Sequence, residues 1–261
     1  MKQLNYSQII KLAKTAIEED SNWGMEEIVR DIKKDEIILT NKQKRKTEIV
    51  DEQKKSVSIN VQNNNKNIEE ILDNLKQEVL NCKKCSLGNS RLNAVFGVGD
   101  PYTNIMFVGE GPGFQEDHKG EPFVGRAGAL LDKIIAAMGF SRQTVYIANI
   151  VKCHPMKNPS NPELKTNDRP PTLEEMQICK SYLDKQIEII APKVIVTLGS
   201  SSTKALLQTE ETISSLRGNF KEYNGIKLMP TYHPAALLRN PNLKKDVWHD
   251  MKKVMAYLKN G

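Results

Sequence analysis

The chain of 261 residues is long enough for one large domain or two small ones with buried cores. Its composition, 39% hydrophobic and 27% charged, is that of a soluble globular protein and excludes collagenous, wholly disordered and membrane-embedded classes. A formal net charge of +6 suits a polyanionic partner without requiring one.

The amino terminus, MKQLNYSQIIKLAKTAIEED, runs into acids and lacks the apolar stretch and cleavage site of a secretory signal, so a cytoplasmic protein is expected. Ile9, Ile10, Leu12, Ala13, Ala16 and Ile17 form a helical apolar stripe, and residues 1–40 are expected to be a small helical extension, a candidate for binding a protein partner. From Asn41 to Asn67 there are few apolar anchors, many charges and a cluster of Asn, which predicts a disordered linker. A domain is expected over 68–261, opening on a helix around Ile68 to Leu80.

Four apolar runs follow: Ile105 to Gly109, Val145 to Val151, Lys193 to Leu198 and Ile226 to Met229. Helical patterns alternate with them near Gly128 to Met138, Thr172 to Ile190 and Ser200 to Gln208, and a last helix near Leu243 to Leu258 carries Val247, Met251, Val254 and Leu258 on one face. Thr172 with Glu175 makes a capping box, and Gly139 stands where a helix stop belongs. Strands alternating with helices predict an α/β fold with a mainly parallel sheet covered on both faces. Ligands then bind at the carboxyl ends of the strands, where Gly109 to Gly113, Asn149, Gly199 to Ser201 and Thr231 to Pro234 fall.

Four cysteines are too few for a secreted disulfide scaffold and better suit a metal site. Cys82 and Cys85 have the CxxC spacing, and Cys153 and Cys179 complete a four-thiolate set that zinc or a 4Fe-4S cluster would accept equally. Buried, inert thiols are the plain alternative. The glycine-rich loop from Gly109 lacks the Lys-Ser/Thr ending of a phosphate loop and the dinucleotide fingerprint. Its acids Glu116 and Asp117 could equally form a solvated turn. Asn149, a carboxamide ending an apolar strand, matches the N3–H and O4 edge of uracil if a neighbouring shell holds the amide; otherwise it caps a turn. His233 could donate to a developing anion. Leu237, Leu238 and Arg239 could wedge into a minor groove and contact phosphates.

The stretches GEGPGFQEDHKGEPFVGRAGALL, YIANIVKCHP and YHPAALLRNP resemble the iron-sulfur uracil-DNA glycosylases known as family four, over roughly Ile68 to Leu258. The resemblance implies a three-layer α/β/α fold with a four-stranded parallel sheet, a 4Fe-4S cluster on Cys82, Cys85, Cys153 and Cys179, and hydrolytic excision of uracil from single- or double-stranded DNA. It implies that Glu110 and Gly111 lie at the uracil and the attacking water with Glu116 supporting them, that Phe123 stacks on the flipped base, that Asn149 reads its edge and that His233 faces its O2. Gly111 replaces the Ala of many relatives, the Cys153 to Cys179 interval is long, and Ser215 to Phe220 lacks the reactive His of relatives that trap DNA covalently. A monomer is the default expectation. The alternative is a non-catalytic or differently selective cluster-bearing nucleic-acid binder of the same fold.

Overall fold

The protein is described from a computed structural model that covers residues 58–260, with side chains from Ile68 onward. The expected helical extension and residues 41–57 of the expected linker lie outside them. The first described helix, α1, covers Ser58–Leu80 and so begins inside the predicted linker. No Gly or Pro interrupts this stretch, and once a helix is nucleated each added residue costs little.

After a single-turn helix α2 (Leu87–Ser90) come β1 (Val98–Gly99), β2 (Ile105–Gly109), α3 (Phe114–Lys119), α4 (Arg126–Ala137) and β3 (Tyr146–Asn149). The second half runs α5 (Leu173–Ile190), β4 (Val194–Leu198), α6 (Ser200–Leu207), α7 (Ile213–Leu216), β5 (Lys221–Tyr223), β6 (Ile226–Thr231), α8 (Pro234–Arg239) and α9 (Leu243–Asn260). The sheet has six strands in the order β1-β3-β2-β4-β6-β5. Its four central strands are parallel, as the alternation predicts, and each edge adds a short antiparallel strand that the four-stranded expectation omits. Two- and three-residue strands carry too little pattern to announce themselves in sequence.

The central strands are apolar on both faces because helices cover both. Met106 and Val108 of β2 join Leu72, Leu75 and Val79 of α1 and Leu183 and Ile187 of α5 in one buried cluster. Ile105 and Phe107 face the other way, toward the layer in which α9 packs on β6 with Val247, Met251 and Val254 buried. Helix α5 starts on the expected capping box: Thr172 Oγ1 accepts from the Glu175 amide at 3.1 Å, and the Glu175 carboxylate accepts from the Thr172 amide at 2.7 Å. Gly139, at φ +85°, closes the turn after α4 in the left-handed region that favours glycine. Among the described residues no helix is long and apolar enough to cross a membrane.

Candidate active site

The chain places β3 on one side of β2 and then crosses to β4 on the other, so the sheet's switch point opens beyond the carboxyl end of β2. Strand register brings the informative residues level there: Gly109 pairs with Asn149, and Leu198 pairs with Thr231, two residues before His233. Gly109 is the point of closest approach. A Cβ on it would lie 2.4 Å from Asn149 Oδ1 and 2.5 Å from Cζ of Phe123, so the base-edge and stacking candidates already touch the same backbone atom. The Phe123 and His233 ring centroids stand 5.7 Å apart. Asn149 is buried, and its Oδ1 has no hydrogen-bond partner among the described residues, a cost that calls for a reason in a folded protein.

The loop that carries Phe123 is tied down by groups remote in sequence. Glu116, in α3, accepts from the Gly113 amide at 3.1 Å through one oxygen and from the Val124 and Gly125 amides at 3.0 and 3.2 Å through the other. Its carboxylate is therefore a strut between the glycine loop and the Phe123 loop. Arg142 donates to the carbonyls of Phe123 and Pro122 and to Asp132. Phe123 holds φ +54°, uncommon for an aromatic residue, and its carbonyl packs where only Gly128 fits, since a Cβ there would sit 1.9 Å away. Glu110 is half-buried beyond β2, its carbonyl accepts from Val151, and its carboxylate makes no hydrogen bond or ion pair with the described residues. A Cβ on Gly111 would come within 2.5 Å of Val151 Cγ2, so an alanine at this position needs a shifted valine.

His233 caps α8. Its Nδ1 accepts from the Ala235 amide at 3.1 Å, which puts the proton of the neutral ring on Nε2. Burial lowers its pKa from 6.5 to about 4, with Arg239 adding to the shift and Glu116 opposing it, so the imidazole is a neutral donor. Gly199, at φ +93°, backs the ring, and a Cβ there would stand 2.9 Å from that of His233. The expected DNA wedge needs a correction. Leu237 is buried, only 1% exposed, because successive residues of α8 point about 100° apart and Leu237 and Leu238 cannot share a face. Leu238 and Arg239 are exposed.

On the far side of β3 the four cysteines line one cavity together with Val79, Arg91, Lys152, Ile178 and Tyr182. Arg91 donates to Cys153 Sγ at 2.9 Å, and the Lys152 amide donates to Cys179 Sγ at 3.2 Å. Gly88 lets the CxxC turn fold on itself, since a Cβ would lie 2.5 Å from the Cys82 carbonyl. Burial pushes the Cys153 thiol up to about 12 and raises that of Cys179, with Arg91 and Lys152 opposing it respectively. Cys153 and Cys179 are buried and Cys82 and Cys85 half-buried. Among the described residues no three His, Cys, Asp or Glu side chains are gathered closely enough to hold a metal ion, but the chemistry of the donor set, four thiols on one cavity with donors aimed at two of the sulfurs, suits a metal group whose own charge stabilises the thiolates. Lys152, buried, reaches back to the Asn149 carbonyl at 2.8 Å and to Gln186 Oε1 at 2.6 Å, with burial lowering its pKa to about 8. His154 lies between two carboxylates, 3.5 Å from Asp117 and 2.7 Å from Asp168. Burial would lower its pKa, but Asp117 beside Nδ1, which has no hydrogen-bond partner among the described residues, and the hydrogen bond of Nε2 to Asp168 outweigh that and raise it. Asp117 also accepts from the Leu92 and Asn93 amides, so neither it nor Glu116 belongs to a solvated turn.

The uracil DNA glycosylase superfamily model matches residues 96–252. A type-4 uracil-DNA glycosylase of Sulfurisphaera tokodaii is 46% identical over 193 residues, covering 70% of this chain and 83% of its own length. Those of Thermotoga maritima and Archaeoglobus fulgidus are 41% and 40% identical, covering 73% and 71% of this chain and 96% and 92% of theirs. The chain belongs to the uracil-DNA glycosylase superfamily.

The protein brings Gly109, Phe123, Asn149 and His233 together, while Glu110 and Gly111 lie in the segment that follows β2 against Val151, and the four cysteines line a cavity of their own. Sequence reasoning missed Arg142, Gly128 and the strut role of Glu116. An arginine acting on carbonyls nineteen and twenty residues upstream and an aromatic residue at positive φ leave no local pattern.

Proposed function

We propose that this crevice flips uracil out of DNA and removes it hydrolytically, leaving an abasic site. The observation that carries the reading is the unpaired, buried Oδ1 of Asn149 beside Phe123 and His233. The sugar–base bond is unreachable in a stacked duplex, so the nucleotide swings out and its ring settles on Phe123. Asn149 Oδ1 accepts the N3–H of uracil; cytosine has no proton there and would leave the acceptor unsatisfied. Lys152, holding the Asn149 carbonyl, helps fix that geometry.

As the bond from sugar C1′ to base N1 breaks, its electron pair stays with the base as a uracil anion, and the sugar becomes cation-like. His233 Nε2–H donates to the O2 of the departing anion, which suits a ring that burial keeps neutral. Water adds to C1′, placed by the Glu110 carboxylate, and the proton it sheds balances the charge on the base. Leu238 wedges into the space the base leaves, and Arg239 contacts a phosphate. Cys82, Cys85, Cys153 and Cys179 would hold a 4Fe-4S cluster, with zinc as the competing occupant, and the group when bound would supply a cross-link that adds to the stability of the fold. The trio of Glu110, Asn149 and His233 disfavours a pure binding module, which has no use for them together. The enzyme acts as a cytoplasmic monomer on this reading.

The test is incubation of the full chain, purified anaerobically, with an oligonucleotide holding one U·G pair, followed by alkali, with the visible spectrum of the same sample. Cleavage at uracil with a broad thiolate-to-iron band is the expected result. Coloured protein that leaves the strand intact overturns the glycosylase reading, and colourless active protein overturns the cluster.

A further inference from the structure

We propose that Arg217 and Asp250 form a clamp that positions His233, which makes Arg217 a positioning residue for departure of the base. The inference rests on the role given to His233 above. Asp250, fully buried in α9, accepts from Thr231 Oγ1 at 2.7 Å and from Arg217 Nε at 3.0 Å through one oxygen, and from Arg217 Nη2 at 2.5 Å through the other. The same Nη2 donates to the Asp246 carbonyl at 2.6 Å. The guanidinium carbon lies 5.6 Å from the centroid of the Tyr232 ring, whose hydroxyl is 3.2 Å from Ser214 Oγ.

Thr231 and Tyr232 are the two residues immediately before His233, so one guanidinium–carboxylate unit grips both. From the opposite side the Gly199 amide donates to the Thr231 carbonyl at 2.8 Å, and Gly199 closes the space behind the imidazole. A buried carboxylate pays a desolvation penalty that an apolar residue filling the same volume avoids, and what it adds in return is direction. Here that direction is spent on the strand end that delivers the leaving-group donor. Gly218 belongs to the same design: it follows Arg217, and a Cβ on it would come within 3.2 Å of Asp250 Oδ1.

The experiment compares single-turnover excision of uracil and of 5-fluorouracil, whose anion is the more stable, from otherwise identical oligonucleotides. Loss of a donor to the departing anion hurts uracil more than fluorouracil; general loosening of the fold slows both alike. His233→Ala sets the reference for that differential. Arg217→Met is expected to slow uracil excision roughly tenfold and fluorouracil excision by distinctly less, and to add little when combined with His233→Ala. Arg217→Lys, which keeps the charge, recovers part of the loss. Equal slowing of both substrates by Arg217→Met, or full additivity with His233→Ala, overturns the clamp while leaving the role of His233 standing. A His233→Ala enzyme with no differential overturns that role and the clamp together. Should Arg217→Met not fold, as judged by its unfolding transition, Thr231→Val removes one hydroxyl from the same network, and the same differential decides the question.

Discussion

Alanine at Gly109 isolates the base pocket from everything else in the fold. Gly109 is not at positive φ, so its backbone accepts a side chain and the perturbation is purely steric. The new Cβ would stand 2.4 Å from Asn149 Oδ1 and 2.5 and 2.7 Å from two ring carbons of Phe123, where ordinary contacts begin at 3.4 Å. Asn149 must retreat by 3.4 minus 2.4, about 1 Å, and Phe123 by nearly as much. A displacement of about 1 Å between reacting groups costs on the order of 100-fold, so single-turnover uracil excision should fall by roughly that factor. Stability should change far less: overpacking costs about 1–3 kcal/mol, partly offset by the ~0.5–1 kcal/mol that alanine gains over glycine in a strand. The assay pairs excision from a U·G oligonucleotide with urea unfolding of the same preparation. Excision within about threefold of the parent, with the unfolding midpoint unchanged, would refute the claim that Asn149 and Phe123 share one base slot at Gly109.

Asn149→Ala should erase much of the preference for uracil over cytosine, on the order of 10- to 100-fold for a lost buried hydrogen bond, read as the ratio of excision rates from U·G and C·G oligonucleotides; an unchanged ratio removes Asn149 as the reader. His233 has a folded-state pKa near 4 against 6.5 in the unfolded chain, so between these values the unfolded state binds the extra proton and stability drops as pH falls. The urea midpoint of the parent should therefore fall more steeply than that of His233→Gln across this window, and parallel curves contradict the desolvated neutral ring. Cys153→Ser should lose the visible band and unfold at lower urea, while excision per folded molecule changes less than in His233→Ala; full iron content in that variant would show the ligand set to be wrong.

The sequence by itself determined the elements whose signal is local. The run Ile105 to Gly109 is apolar at every position because both its faces are covered, and β2 has those same bounds. The Thr172 and Glu175 box, the Gly139 stop and the one-sided stripe of the last helix are likewise written within a few residues of where they act. Asn149 and His233 stood out because a carboxamide and an imidazole ending apolar strands demand a reason. Tertiary structure decided what depends on partners far along the chain. It buried Leu237 beside an exposed Leu238, turned Glu116 into a strut for three amides, placed Arg142 under Phe123 and set Asp250 behind Thr231. Period and capping chemistry repeat every two to four residues and survive in one dimension. Convergence on Gly109 of an amide from one strand and a ring from a loop does not, because only the register of β2 with β3 and the packing of Phe123 on Gly128 bring those atoms together.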